Sequence, residues 1–226
     1  VGVRNHALAL SWSGGKDSAL ALWRLREEGL SPGALVSTVN AEAGRLPMHE
    51  VRRELLRGQA ECVSAPLVEI EIPAPCPDCV YEQRMAAAFD GGELDAVREM
   101  AFGDLFLEDI RAYREARLAA VGVSTRFPVW GLDTAELARE FVELGFRAVL
   151  VCVDTRVLSA SFVGREFDER LLDELPDDVD PCGENGEFHT FVYDGPVFER
   201  PVEWERGELS RRDGFAFCDL LCGARV

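Results

Sequence analysis

Six consecutive residues near the amino end, Ser13-Gly14-Gly15-Lys16-Asp17-Ser18, have the types and spacing to hold an anion. Two adjacent glycines let backbone N–H groups turn toward one point with no Cβ in the way. A helix starting there adds its unpaired amides and the positive end of its dipole. Lys16 supplies a point charge, Ser13 and Ser18 offer hydroxyls, and Asp17 is placed to cap the helix or orient a magnesium-bound water. Lys16 is the only lysine in the chain, so a composition that uses arginine everywhere else departs from it here.

A second group of chemical side chains lies late in the sequence, in Cys182-Gly183-Glu184-Asn185-Gly186-Glu187-Phe188-His189-Thr190. Gly183 and Gly186 bracket a tight turn, after which Glu187 and His189 alternate with Phe188 and Thr190 as along a strand. Acid and imidazole would share one face, where a nearby glutamate raises a histidine pKa and either group moves a proton. As a lone feature the same pattern also serves a polar hairpin. Asp104, at the end of a short apolar run, is expected to face the same site; with Glu108 and Asp109 it equally complements a helix dipole. His49, after Pro47-Met48, is placed to touch nucleotide or acceptor, or to be a satisfied loop histidine; His6 precedes the first expected strand and has no expected chemistry.

The elements that must position these groups can be read in order. Residues 7–10 suit a buried strand, and 19–28 a helix stopped by Gly29. Residues 34–39 and 67–72 read as strands around a helix over 50–62, and 100–103 as a strand between helices at 78–89 and about 107–121. This βαβ series implies a parallel sheet, with the ligand beyond the carboxyl ends of its strands. The Gly122-Val123-Ser124-Thr125 segment is the expected hinge between a domain at 1–122 and a second at 123–226. The second part is expected to hold a short extended piece at 127–130, a helix over 134–144, a buried strand over 147–153, and strands at 202–205 and 215–221.

With 226 residues, 47% hydrophobic content and a formal net charge of −17, the chain has ample length for a core and a global field that opposes unassisted nucleic-acid binding. Seven scattered cysteines, no charged-then-apolar leader and no long apolar run favour a reducing cytoplasm and no membrane span. Cys76-Pro77-Asp78-Cys79 with Cys218 and Cys222 makes a four-thiolate zinc site arithmetically feasible, against the plainer reading of reduced cysteines and no bound metal. Val197-Phe198 and Phe215-Ala216-Phe217 are a candidate homo-oligomer patch or else core.

Neither the Gly-x-x-x-x-Gly-Lys-Ser/Thr loop nor Gly-x-Gly-x-x-Gly is present. Ser-Gly-Gly-Lys-Asp-Ser instead resembles the pyrophosphate (PP) loop of N-type ATP pyrophosphatases. Joined to the 182–190 stretch, and to Met48-His49-Glu50-Val51, Gly103-Asp104-Leu105-Phe106-Leu107-Glu108-Asp109 and Phe127-Pro128-Val129-Trp130-Gly131, it resembles the diphthine-ammonia ligase family over nearly the full chain. The resemblance implies an α/β fold: an N-terminal parallel-sheet domain of the adenine-nucleotide α-hydrolase (HUP-like) type and a smaller C-terminal α+β domain. It implies an ATP-dependent ligase using magnesium, which adenylates a carboxylate acceptor and joins it to ammonium, releasing AMP and pyrophosphate. Ser13, Gly14, Gly15, Lys16, Asp17 and Ser18 would hold the β and γ phosphates; Lys16, Asp17, Glu184, Glu187 and His189 would be catalytic, and His49, Asp104, Gly183, Asn185, Gly186 and Thr190 would contact the acceptor. Where archaeal and eukaryotic ligases carry a second glycine and a later acid, this chain has Asn185 and His189, as bacterial members do, so the acceptor is open. A tRNA-thiolating relative and a non-catalytic ATP sensor are the alternatives.

Overall fold

The computed structural model describes residues 4–223. Strand β1 (Arg4–Ser11) is followed by the glycine loop and helix α1 (Lys16–Glu27), whose Ala19, Leu20, Ala21, Leu22 and Leu25 are fully buried. That apolar stripe packs the helix on the sheet, and Gly29 (φ 76°) ends it in a left-handed turn a side chain would resist. The chain continues through β2 (Ser31–Asn40), α2 (Arg53–Cys62), β3 (Leu67–Ile72), α3 (Asp78–Phe89), β4 (Glu99–Ala101), α4 (Glu108–Ala119) and β5 (Ser124–Arg126).

These five strands form one parallel sheet in the order β3-β2-β1-β4-β5, the α/β class expected. The order reverses between β1 and β4. Crevices in open parallel sheets lie at such a switch point, beyond the carboxyl ends of the strands. Here the loop after β1 and the Phe102-Gly103-Asp104 turn after β4 meet at that place.

Three expectations are corrected. The last two residues of the expected hinge belong to strand β5, in which Ser124, Thr125 and Arg126 pair with Glu99, Met100 and Ala101. A three-residue polar strand has no apolar period to announce it, and only the ladder with β4 defines it. Residues 127–130 form a turn rather than an extended piece, with Val129 buried and Phe127 edge-on to Trp130. His6 lies within β1 rather than before it, and its side chain lies outside the described residues.

The second part contains α5 (Thr134–Glu143), capped by Asp133 on the Glu136 amide, then β6 (Arg147–Asp154), α6 (Glu169–Glu174), β7 (Phe188–Asp194), β8 (Trp204–Arg212) and β9 (Phe215–Cys222). Its antiparallel sheet has the order β7-β6-β9-β8. One continuous apolar core joins the two sheets, running from Leu8, Leu10, Trp12 and Leu20 to Phe141, Val149 and Phe191. A separate cluster of Phe89, Met100, Phe102, Leu118 and Val123 lies on the other face of the parallel sheet, under α3 and α4.

Polar contacts also cross between the parts. Arg45 and Arg52 both pair with Asp219, whose carboxyl burial would raise but whose two guanidinium partners hold at about 2. Val197 and Ala216 are buried, which takes them out of any exposed patch.

Candidate active site

The glycine loop is held in shape by one buried amide. Gln59, on α2 and fully buried, accepts from Trp12 Nε1 at 2.9 Å and donates from Nε2 to the carbonyls of Gly14 (2.9 Å) and Val192 (2.6 Å). Gly14 sits at φ 72°, and a Cβ there would lie 2.5 Å from Gln59 Oε1, so glycine is required on both counts. The Val192 amide donates back to the Gly14 carbonyl at 2.9 Å. Loop, α2 and β7 are thereby fixed as one unit.

Helix α1 begins without a side-chain cap, which leaves its first-turn amides to other acceptors. Two neighbouring donors are already met by hydroxyl oxygens: Gly15 N–H by Ser13 Oγ at 3.2 Å, and Lys16 N–H by Thr190 Oγ1 at 3.0 Å. Ser18 Oγ donates to the Gly15 carbonyl at 2.9 Å. Gly103 packs so closely on the helix start that a Cβ would lie 2.7 Å from the Asp17 carbonyl. Lys16 is 3% exposed and its Nζ lies 2.8 Å from both Asp17 carboxylate oxygens. Burial works against its charge, but Asp17 outweighs it and the pKa is raised; burial also raises the Asp17 carboxyl against the pull of Lys16.

The second part supplies the opposite wall. Gly183 (φ 67°) turns the chain where a Cβ would lie 2.8 Å from the Phe188 carbonyl. Glu184 then reaches across to accept the Leu105 amide at 2.8 Å, beside Asp104. Burial pushes the Glu184 carboxyl up to about 7, with Asp17 and Asp104 adding to it and the Leu105 amide and Lys16 opposing. His189 and His49 stack with ring centroids 4.4 Å apart. Burial holds both neutral, His49 well below its usual range and His189 at about 4, with Lys16 reinforcing the effect on each and His189 on His49. His49 Nδ1 and His189 Nε2 are buried without hydrogen-bond partners, an arrangement that leaves one nitrogen of each ring for a ligand. Met48 (φ 64°) and Glu50 (φ 57°) flank His49 in the left-handed region, a local backbone strain on either side of the histidine.

Ser13, Gly15, Lys16, Asp17, Ser18, His49, Asp104, Gly183, Glu184, His189 and Thr190 thus line one cavity of about 250 Å³ at the switch point. Gly14 faces Gln59 instead. Asn185, Gly186 and Glu187 also lie outside the lining: Glu187 Oε1 accepts from the Asp180 amide (3.1 Å) and Asn185 Nδ2 (2.9 Å), bracing the turn. The expectation that a neighbouring glutamate raises the His189 pKa is corrected, because Glu187 points into the turn and burial beside Lys16 lowers it.

Sequence reasoning missed Gln59, Phe102 and Arg114. The last lines the cavity, stacks on Phe102 at 4.3 Å, and donates to Asp104 Oδ1 at 3.1 Å. A glutamine on an apolar helix face was a signal for the first; an arginine on a surface helix gave none for the last. A second cavity of about 270 Å³, lined by Val36, Ser37, Thr38, Tyr81 and Met100, shares Ser11, Ser13, His49, Phe102, Arg114 and His189 with the first.

The donor set fits magnesium, which keeps its waters and takes one or two carboxylates plus phosphate oxygens. Asp104 and Asp17 both stand in the lining, Asp104 paired there with Arg114 and Asp17 with Lys16. Among the described residues no group of three or more His, Cys, Asp or Glu side chains forms a dedicated metal cage, so the four cysteines do not assemble as a zinc site.

Two family models cover most of the chain. Residues 6–124 match the diphthamide synthase N-terminal domain and residues 133–223 the diphthamide synthase C-terminal domain. A diphthine–ammonia ligase from Schizosaccharomyces pombe is 26% identical over 125 residues; the aligned part covers 52% of this chain and 21% of the yeast protein. A crystal structure described as a predicted subunit of tRNA methyltransferase, from Methanocaldococcus jannaschii, aligns over 86% of this chain and 99% of that one at 15% identity, with a TM-score of 0.45. With both domain matches in order and spanning most of its length, the chain belongs to the diphthamide synthase family.

Proposed function

We propose that the protein is an ATP-dependent ligase that adenylates a carboxylate and converts it to an amide with ammonia, releasing AMP and pyrophosphate. The observation that carries this reading is the buried Lys16 at an uncapped helix start, facing Glu184 and His189 across one cavity. The yeast relative's name, diphthine–ammonia ligase, points the same way. The diphosphate end of ATP suits the first-turn amides and Lys16, where the hydroxyls of Ser13 and Thr190 already act as acceptors. The adjoining cavity beside Val36, Ser37 and Thr38 suits the nucleoside.

The chemistry follows from charge. A carboxylate oxygen bonds to the α phosphorus as the bridge to the β phosphorus breaks, and pyrophosphate leaves with the electron pair. Lys16 and the amides stabilise that leaving charge in a dry setting. Magnesium, held by Asp17 and Asp104, would neutralise phosphate charge. Ammonia then attacks the acyl carbon, AMP departs, and the proton lost by nitrogen passes to a base. Glu184, whose carboxyl titrates near 7, is suited to accept it; His49 and His189 serve as neutral hydrogen-bond partners. Lys16→Met should abolish AMP and pyrophosphate release, followed by anion-exchange chromatography, while leaving the unfolding transition in place. Undiminished AMP in that variant would remove the loop from the mechanism.

A further inference from the structure

Arg114 and Phe102 stand where three cavities meet. Both line the loop cavity and the adjoining nucleoside-sized one, and both line a third, of about 230 Å³, between α3 and α4. That third cavity has an apolar body, with Tyr81, Met85, Phe89, Leu118 and Val121 around Phe102. Its charged lining residues are Glu82, Arg114 and Arg117. Glu82 and Arg117 satisfy one another in an ion pair. Arg114 is differently placed: its guanidinium stacks on Phe102 and makes a two-point ion pair with Asp104, one Nη donating to Oδ1 at 3.1 Å and Nε lying 2.8 Å from Oδ2. An arginine presents five donors in a planar fork, so contact with one carboxylate leaves others for a second.

We infer that the α3–α4 cavity is the acceptor's binding site, and that the acceptor is a small carboxylic acid with a compact apolar body, aryl or branched alkyl, whose carboxylate is received by Arg114. The inference rests on the ligase reading above and narrows it. Apolar cavities of about 150 Å³ hold a benzene ring, so this one has room for a ring and a short arm. The arm's direction is set by the wall. An apolar body among Phe89, Leu118 and Met85 leaves Arg114, which also lines the loop cavity, as the group that can receive the charge. A carboxylate on Arg114 is thereby held by a residue that also lines the cavity of Lys16, Asp104 and Glu184, where the adenylation must occur. Arg114 is in this account a substrate-binding residue, and Phe102 the surface that holds its guanidinium in plane.

The experiment is direct binding of 4-fluorophenylacetate, read by fluorine NMR, to the full chain as wild type, Ala86→Trp and Arg114→Gln. Ala86 lines the third cavity and neither of the other two, so an indole there fills the acceptor space and leaves the nucleotide space. Saturable binding to wild type is expected, lost in Ala86→Trp and weakened at least about tenfold in Arg114→Gln, the usual loss for a charge-assisted hydrogen bond. ATP affinity, measured by calorimetry, should stay within about twofold in Ala86→Trp, a change too small to count as a lost contact. A second arm adds adenosine to the bound probe. Absence of saturation in wild type, equal affinity in Arg114→Gln, or displacement by adenosine would each overturn the assignment, the last by showing the cavity to be the base pocket. The ligase reading fails separately: wild type that binds the probe as described but forms no AMP with any acid and ammonium loses the reaction and keeps the site. AMP formation with polar acids alone would keep the reaction and lose the site.

Discussion

The Gln59 clamp gives the sharpest test of how the loop is held. Methionine at this position fills similar space without hydrogen-bonding groups. It would leave the Trp12 indole N–H and the Val192 carbonyl without their Gln59 partner, while the Gly14 carbonyl keeps its bond from the Val192 amide. Each buried polar group stripped of its partner costs about 1–3 kcal/mol, so Gln59→Met should lose roughly 2–6 kcal/mol, a large part of a typical total. In a chain of this size that is a fall of roughly 5–20 °C in the unfolding midpoint, read by circular dichroism with and without ATP. Gln59→Glu refines the test. One carboxylate oxygen keeps the Trp12 bond, but the other meets two carbonyl oxygens and can satisfy only one of them, and only when protonated. Its folded-state pKa should therefore be raised above the unfolded value of about 4.3; stability is then greatest below that pH and declines as pH rises toward the folded pKa. A Gln59→Met variant that unfolds within about 1 kcal/mol of wild type, or a Gln59→Glu variant indifferent to pH, would show that the amide is not what fixes the loop.

Three further outcomes follow from the same geometry. On the proposed ligase reading Glu184 is a base in its ionised form, so amide formation should rise with pH through about 7 in wild type, and Glu184→Gln should lower the rate and flatten that limb in a pH–rate profile. Asp219, depressed from 3.8 to about 2 by Arg45 and Arg52, contributes stability that is present above 3.8 and lost as pH falls toward 2. Asp219→Asn should therefore be less stable than wild type near neutrality, by about 1 kcal/mol or less per partly exposed pair, and equal to it at the acid end, measured by urea denaturation. Gly103→Ala would drive a methyl against the Asp17 carbonyl and force the β4–α4 turn off the helix start; a cost of roughly 1–3 kcal/mol and weaker ATP binding are expected, by denaturation and calorimetry.

Much of the parallel sheet was open to reading because its strands are short apolar runs separated by periodic helices. β3 and α3 fall at the expected residues, and the glycine loop lies where a switch point requires it. Failures came where pairing or burial outranks local pattern. Ser124-Thr125-Arg126 is a strand only because β4 is beside it. Nor did the local pattern separate Glu187, whose Oε1 braces the turn, from Glu184, three residues earlier, which lines the cavity.

By itself the sequence determined the proposed anion cradle, a glycine turn and a lone lysine at a helix start, since these dictate backbone donors and charge at short range. It also determined the family, through motifs whose spacing survives without coordinates. Only the tertiary structure decided which side chains face the cradle and in what protonation state. Arg114, Gln59, the stacked His49 and His189 and the raised carboxyl of Glu184 owe their roles to neighbours far along the chain. Burial and electrostatic fields depend on distance in space, and a linear order of residues does not carry that distance.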